Sequence, residues 1–160
     1  MNQALRMPET LPADFDLDAV QWMRVGGGPE FDYPIDYYYA VAAADVAKGR
    51  VEFLVKWAPN AYCHYHRHLG ETAVTILQGE QHLYEERPLE TIHKVRQAGF
   101  TGRLPHGEQH MEHGGPEGVT ILFSIHAPDG RLFDQLDRAG NTLLTMTIED
   151  AVERRLGVPA

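Results

Sequence analysis

Cysteine is almost absent from this chain. A single residue among 160, Cys63, excludes an internal disulfide and suits a reducing compartment. Basic residues are also scarce: 14 Lys plus Arg face 23 Asp plus Glu, a formal net charge of -9. Such a surface repels phosphate backbones and anionic lipid, so neither nucleic acid nor membrane is an expected partner. No stretch approaches the roughly 18 consecutive apolar residues of a membrane span, and the opening MNQALRMPETLPADFD lacks the apolar segment of a signal peptide. The expectation is a cytoplasmic protein acting on a small-molecule substrate. Histidine, too, is missing from the first 63 residues.

What is present is a globular composition, 43% hydrophobic and 23% charged, in a chain long enough to bury one core. Residues 1–20, with Pro8, Pro12 and several acids, read as an N-terminal arm, and residues 21–160 as a single domain. Alternation in VQWMRV and in RVEFLVKWAP predicts strands with one buried face. YYYAVAAADVAKG suits a strand or a short helix equally. Pro59-Asn60 is a turn, because Asn tolerates the left-handed backbone. AVTILQGEQHLYEE reads as two strands around Gly79-Glu80, and IHKVRQ as a possible further one. Gly99, Gly102, Pro105 and Gly107 punctuate a loop leading to His110. GVTILFSIHAPDG is a strand closed by a Pro-Asp-Gly turn, and RLFDQL, DRAGN and TLLTMTI form a hairpin. The tail TIEDAVERRLG predicts a helix over 148–156, capped by Thr147 with Asp150 three residues on and ended by Gly157. Many short strands separated by Gly and Pro predict an all-β barrel or sandwich.

All nine histidines fall between positions 64 and 126. Strand alternation sends His64, His66 and His68 to one face. A solvated polar face would look the same, but neutral imidazole is the commonest metal ligand and two at i and i+2 can reach one ion. A further ligand must come from another strand, and His110 is the candidate.

With these residues in view the chain resembles a cupin, a small double-stranded β-helix (jelly-roll) barrel with two short metal-binding motifs. The second motif is G, five residues, PxG, two residues, H, three residues, N. Gly99, Pro105, Gly107 and His110 match it, and Gly114 replaces the Asn. The first is G, five residues, HxH, three or four residues, E, six residues, G. Counting back from Gly79 puts the glutamate at Thr72, HxH at His66 and His68, and the leading glycine at Asn60. A rival register uses His64, His66 and Glu71, but it needs one extra residue before Gly79 and puts Ala58 at the turn. The gap-free register is preferred.

In that register the resemblance implies a barrel, to which the tail adds its short C-terminal helix, and three histidine ligands, His66, His68 and His110, without the usual glutamate. This is similar to the cupin dioxygenases that cleave acetylacetone or dihydroxyacetophenones. HLYEE echoes a segment of the latter, which would let Glu85 or Glu86 approach the metal, although a solvated hairpin end explains both. The implied cofactor is one divalent transition metal, Fe(II) favoured, with Zn, Ni or Mn also suited to nitrogen ligands. His64 or Glu71 would be the proton acceptor. His106 and His113 are expected in solvent, Cys63 on the opposite face, and Tyr62, Tyr65, Trp57 and Phe53 in the cavity wall or the core. A non-redox isomerase, cyclase or lyase and a zinc-containing binding domain are the alternative readings. Open jelly-roll edges suggest a homodimer.

Overall fold

The computed structural model describes residues 19–29, 31 and 33–160. The expected arm lies, as far as residue 18, outside them. In chain order the strands are β1 (Met23–Gly26), β2 (Asp36–Asp45), β3 (Arg50–Trp57), β4 (His66–His68), β5 (Glu71–Arg87) and β6 (Glu90–Gln97). They continue with β7 (Thr101–Leu104), β8 (Gln109–His126), β9 (Arg131–Leu136), β10 (Thr142–Thr147) and β11 (Val158–Pro159), with one short helix, α1 (Ile148–Val152), between the last two. The chain is an all-β barrel of antiparallel strands, as the strand rhythm predicts.

Alternation explains how the barrel closes. On β3, Val51, Phe53, Val55 and Trp57 point inward, and on its partner β8, Val119, Ile121, Phe123 and Ile125 do the same. Leu54, on the other face of β3, joins Trp22 and Ala40 in a small outer cluster. The two long strands β5 and β8 pair in two stretches, from Glu71↔His126 to Gly79↔Val119 and again from Gln81↔Gly114 to Tyr84↔Met111. Between these stretches the ladder is bulged. Gly79 has φ 74° there, and a Cβ on it would lie 2.1 Å from the Gly118 carbonyl oxygen. Glycine is required by that approach. The expected break at Gly79-Glu80 is therefore a bend inside one strand.

The segment left undecided between strand and helix is β2, which pairs with β1 and β3 and ends in a 3-10 turn at Val46–Lys48. The punctuated stretch before His110 contains β7, held to β5 at Thr72↔Leu104 through Thr75↔Thr101. Asn60 takes φ 59°, as its turn requires. The C-terminal helix forms with the expected reciprocal cap between Thr147 and Asp150, but it stops at Val152 rather than 156. Arg154 enters the left-handed region at φ 58°, and the chain turns back so that β11 can pair with β1. Gly157 serves that pairing: a Cβ on it would lie 2.4 Å from the Arg24 carbonyl oxygen. Among the described residues no helix is long and apolar enough to cross a membrane.

Candidate metal centre

Strand β4 lies between β8 and β9, and its register sets His66 directly opposite His110. His68, two residues along β4, faces the same way as His66. The result is a buried cluster in which His66 Nε2 is 3.3 Å from His68 Nε2, and His68 Nε2 is 3.1 Å from His110 Nε2. One ligand atom from each of the three lies within 4.8 Å of the other two.

The second ring nitrogen of each histidine decides what the cluster can do. His66 Nδ1 is 2.8 Å from the His64 carbonyl, which only accepts, so this nitrogen carries the proton. The Thr72 hydroxyl donates to the Gly70 carbonyl and thereby accepts from His68 Nδ1 at 3.1 Å. His110 Nδ1 donates to the Glu108 carboxylate at 3.1 Å. With all three Nδ1 atoms occupied as donors, three unprotonated Nε2 lone pairs face one another. Burial holds His66 down to about 4 and His68 and His110 well below the usual imidazole range, and for these last two the neighbouring imidazoles add to the effect. Protonation is a poor remedy for that repulsion, whereas a cation suits it, and outer partners on Nδ1 are the usual companions of metal-ligating histidine. The donor set fits a divalent transition metal.

The remaining predicted residues scatter. His64 is buried in the cavity wall, accepts from the Gln135 amide at Nδ1 (3.2 Å), and stacks edge-on against Phe31. Glu71 points outward, exposed, and pairs with Arg103 at 3.1 Å. Strand alternation sends Thr72, not Glu71, toward the histidines. Glu85 is buried but turned to Arg87 and Lys94, and Glu86 is exposed. His106 is exposed, as expected.

Two expectations are corrected. His113 is buried, lying between the rings of Tyr62 and His82 and bonded to the Tyr84 hydroxyl at 3.1 Å. Cys63 lines the cavity, with Sγ 3.7 Å from His66 Nδ1. Regular strand geometry starts only at His66. Tyr62 makes isolated bridges to Ile35 and His113 instead, so the alternation projected back to Cys63 does not hold.

One acid escaped the sequence reading. Glu112, on the same face of β8 as His110, is buried with Oε1 3.7 Å from His110 Nε2. Burial pushes its carboxyl up to about 7. The signal was available in the i, i+2 spacing of His110 and Glu112. Phe133, also unforeseen, packs edge-on against both His66 and His68.

Tyr37, Phe53, Trp57, Phe123, Phe133 and Met146 wall the space beside these groups. Its volume is about 70 Å³. Tyr62 and Tyr65 are not among the lining residues. The site therefore combines a polar three-histidine corner with apolar walls and room for a small occupant only.

No family model and no curated protein matches the sequence. Solved structures do. An RmlC-like cupin protein from Ralstonia eutropha JMP134 aligns with TM-score 0.65 and 19% identity over 88% of this chain and 82% of that one. An acetylacetone dioxygenase from Acinetobacter johnsonii aligns with TM-score 0.64 and 12% identity over 96% of this chain and 94% of that one. A cupin-like protein from Thermotoga maritima MSB8 aligns with TM-score 0.53 and 17% identity over 81% and 92%. At these identities the likeness is one of fold.

Proposed function

We propose that this cupin-fold protein is a metal-dependent dioxygenase cleaving a small enolisable carbonyl compound, a diketone or hydroxyaryl ketone. The ion on this reading is held by His66, His68 and His110. The observation that carries the proposal is the meeting of three unprotonated Nε2 atoms, with spacings of 3.1 and 3.3 Å, in a buried apolar pocket. Likeness to an acetylacetone dioxygenase across nearly the whole chain supports the choice of reaction.

A divalent ion, Fe(II) for this reaction, supplies Lewis acidity toward enol oxygens and a redox partner for dioxygen. The chain's own residues do the rest. The Nδ1 partners (the His64 carbonyl, Thr72 and Glu108) hold the three rings in the ligand tautomer. The aromatic wall excludes bulk water and limits the substrate to a compact molecule. His64 is the proton acceptor of this reading, and taking a proton on Nδ1 displaces the Gln135 amide. Glu71 has no part in it, because its carboxylate lies on the outer face.

The test is oxygen uptake by iron-loaded protein against a panel of β-diketones and hydroxyaryl ketones. Uptake with at least one compound, lost in His110→Ala, is the expected result. Nitrogen ligands also take zinc, nickel or manganese. No uptake, with stoichiometric zinc in protein purified without tags or chelators, would transfer the site to non-redox chemistry or to binding.

A further inference from the structure

The sequence leaves threonine where cupins of the four-ligand type carry glutamate, and the cluster then offers three neutral donors. Yet a buried carboxylate stands beside the cluster by another route, with Glu112 Oε1 3.7 Å from His110 Nε2. We propose that Glu112 is a fourth ligand of the metal centre, supplied from the His110 strand in place of a carboxylate at position 72. This rests on the reading of His66, His68 and His110 as a metal site.

Position is the first argument. His110 and Glu112 are two apart on β8 and both buried, at 0% and 3% exposure, so both side chains leave the strand on the face turned to the histidines. Metal–nitrogen bonds of about 2.1 Å at right angles put neighbouring ligand atoms about 3 Å apart. The His68–His110 and His66–His68 spacings of 3.1 and 3.3 Å are of that size. Glu112 Oε1, at 3.7 Å from His110 Nε2, needs to move by less than the length of one bond to join them.

Charge is the second. A carboxylate removed from water demands a cation or dense hydrogen bonding. Among the described residues Glu112 has no lysine or arginine within ion-pair distance, and Arg96 acts on it only from further away. Its polar partners are few. Oε1 accepts from Gln81 Nε2 at 2.5 Å, and Oε2 lies 3.8 Å from the Cys63 thiol. A divalent ion beside Oε1 provides the missing positive charge.

Orientation is the third. Each carboxylate oxygen has two acceptor positions, so Oε1 can keep the Gln81 bond and still face the ion. Gln81, fully buried on β5 opposite Gly114, thus stands to Glu112 as Thr72 stands to His68: an outer group that aims a ligand. Coordination by Glu112 leaves the centre with one positive charge rather than two.

The experiment compares wild type, Glu112→Gln and His110→Ala, with Co(II) as the probe ion. Chelator competition gives the affinity, and the visible absorption of bound Co(II) reports its ligand set. Far-UV circular dichroism checks that each metal-free variant is folded. Glu112→Gln is expected to weaken Co(II) by about 10- to 100-fold or more, the scale at which even outer-shell losses act, and to change the absorption spectrum. An unchanged affinity and spectrum in Glu112→Gln overturns the Glu112 assignment while leaving the three-histidine centre standing. Failure of wild type to bind Co(II) at all overturns the centre and this proposal with it. Should Glu112→Gln not fold, the Co(II)-loaded wild-type crystal structure decides. An Oε1–Co distance of about 2.1 Å supports the assignment, and an ordered water between the two sinks it.

Discussion

The Thr72 hydroxyl accepts a hydrogen bond from His68 Nδ1 at 3.1 Å and donates one to the Gly70 carbonyl at 3.2 Å. Threonine at this position is therefore not a vacancy in the motif. It is fully buried, and it fixes the tautomer that leaves His68 Nε2 free to bind a metal. Thr72→Val keeps the shape but removes the acceptor. The expected result is a loss of metal affinity of about 10-fold, with Thr72→Ser close to wild type, both read by chelator competition. Equal affinity in Thr72→Val and wild type would show that the bond has no such role.

The two registers of the first motif predict different losses of metal. In the geometry described here His68 and His110 meet at their Nε2 atoms, while Glu71 is committed to Arg103 outside the barrel. Elemental analysis should find one divalent transition metal per chain in wild type. His68→Ala and His110→Ala should lose most of it, whereas Glu71→Ala should keep it. His64→Ala should also retain the ion and lose catalytic turnover instead. Loss of metal in Glu71→Ala with retention in His68→Ala would restore the rival register.

The histidine pair of β4 and the Pro-Gly approach to His110 were legible because strand alternation and motif spacing are local properties. The convergence of the three rings also depends on β4 pairing with β8, a long-range register that no local pattern carries. The same distinction explains the misplaced residues. Cys63 was projected from an alternation that begins only at His66. His113 is expected in solvent, but the bend at Gly79 lays the second half of β5 along it and buries it beneath His82 and Tyr62. The helix ends four residues before the expected 156 because sequence periodicity cannot see the return of the chain to β1. Glu112 was legible in principle. Its i, i+2 spacing from His110 is a local signal of the same kind as the histidine pair of β4.

Association follows from the sheet edges. Among the described residues β10 pairs with β9 alone, and it carries Leu143 and Leu144, about half exposed, at 52% and 51%. An unpaired strand edge with adjacent exposed leucines is a template for a second chain. We expect a homodimer, seen in sedimentation at micromolar concentration as a species of twice the 18.0 kDa chain mass. Leu143→Asp with Leu144→Asp should shift it to the monomer. An exclusively monomeric wild type would remove the idea.

The metal-free protein should lose stability as the pH falls below the histidine range. His66 is depressed to about 4, and His68 and His110 lie well below their usual value, all chiefly because burial disfavours the charged ring. An unfolded chain takes up three protons at these residues near pH 6.5; the folded chain does not. The unfolded state then binds more protons, so unfolding becomes easier with each step down in pH toward 4. Two carboxyls act in the other direction: Glu112, raised by burial to about 7, and Glu108, raised by burial. They let the folded chain take up protons first, but they are fewer than the imidazoles, so the net slope keeps the sign set by the histidines. Urea midpoints between pH 7 and 5 should therefore fall, by an amount worth on the order of a few kcal/mol. His66→Gln removes one titrating ring and should flatten the profile. A metal-free wild type that holds or gains stability over this range would contradict the burial of the three neutral rings, and a His66→Gln profile parallel to wild type would free His66 from its share of it.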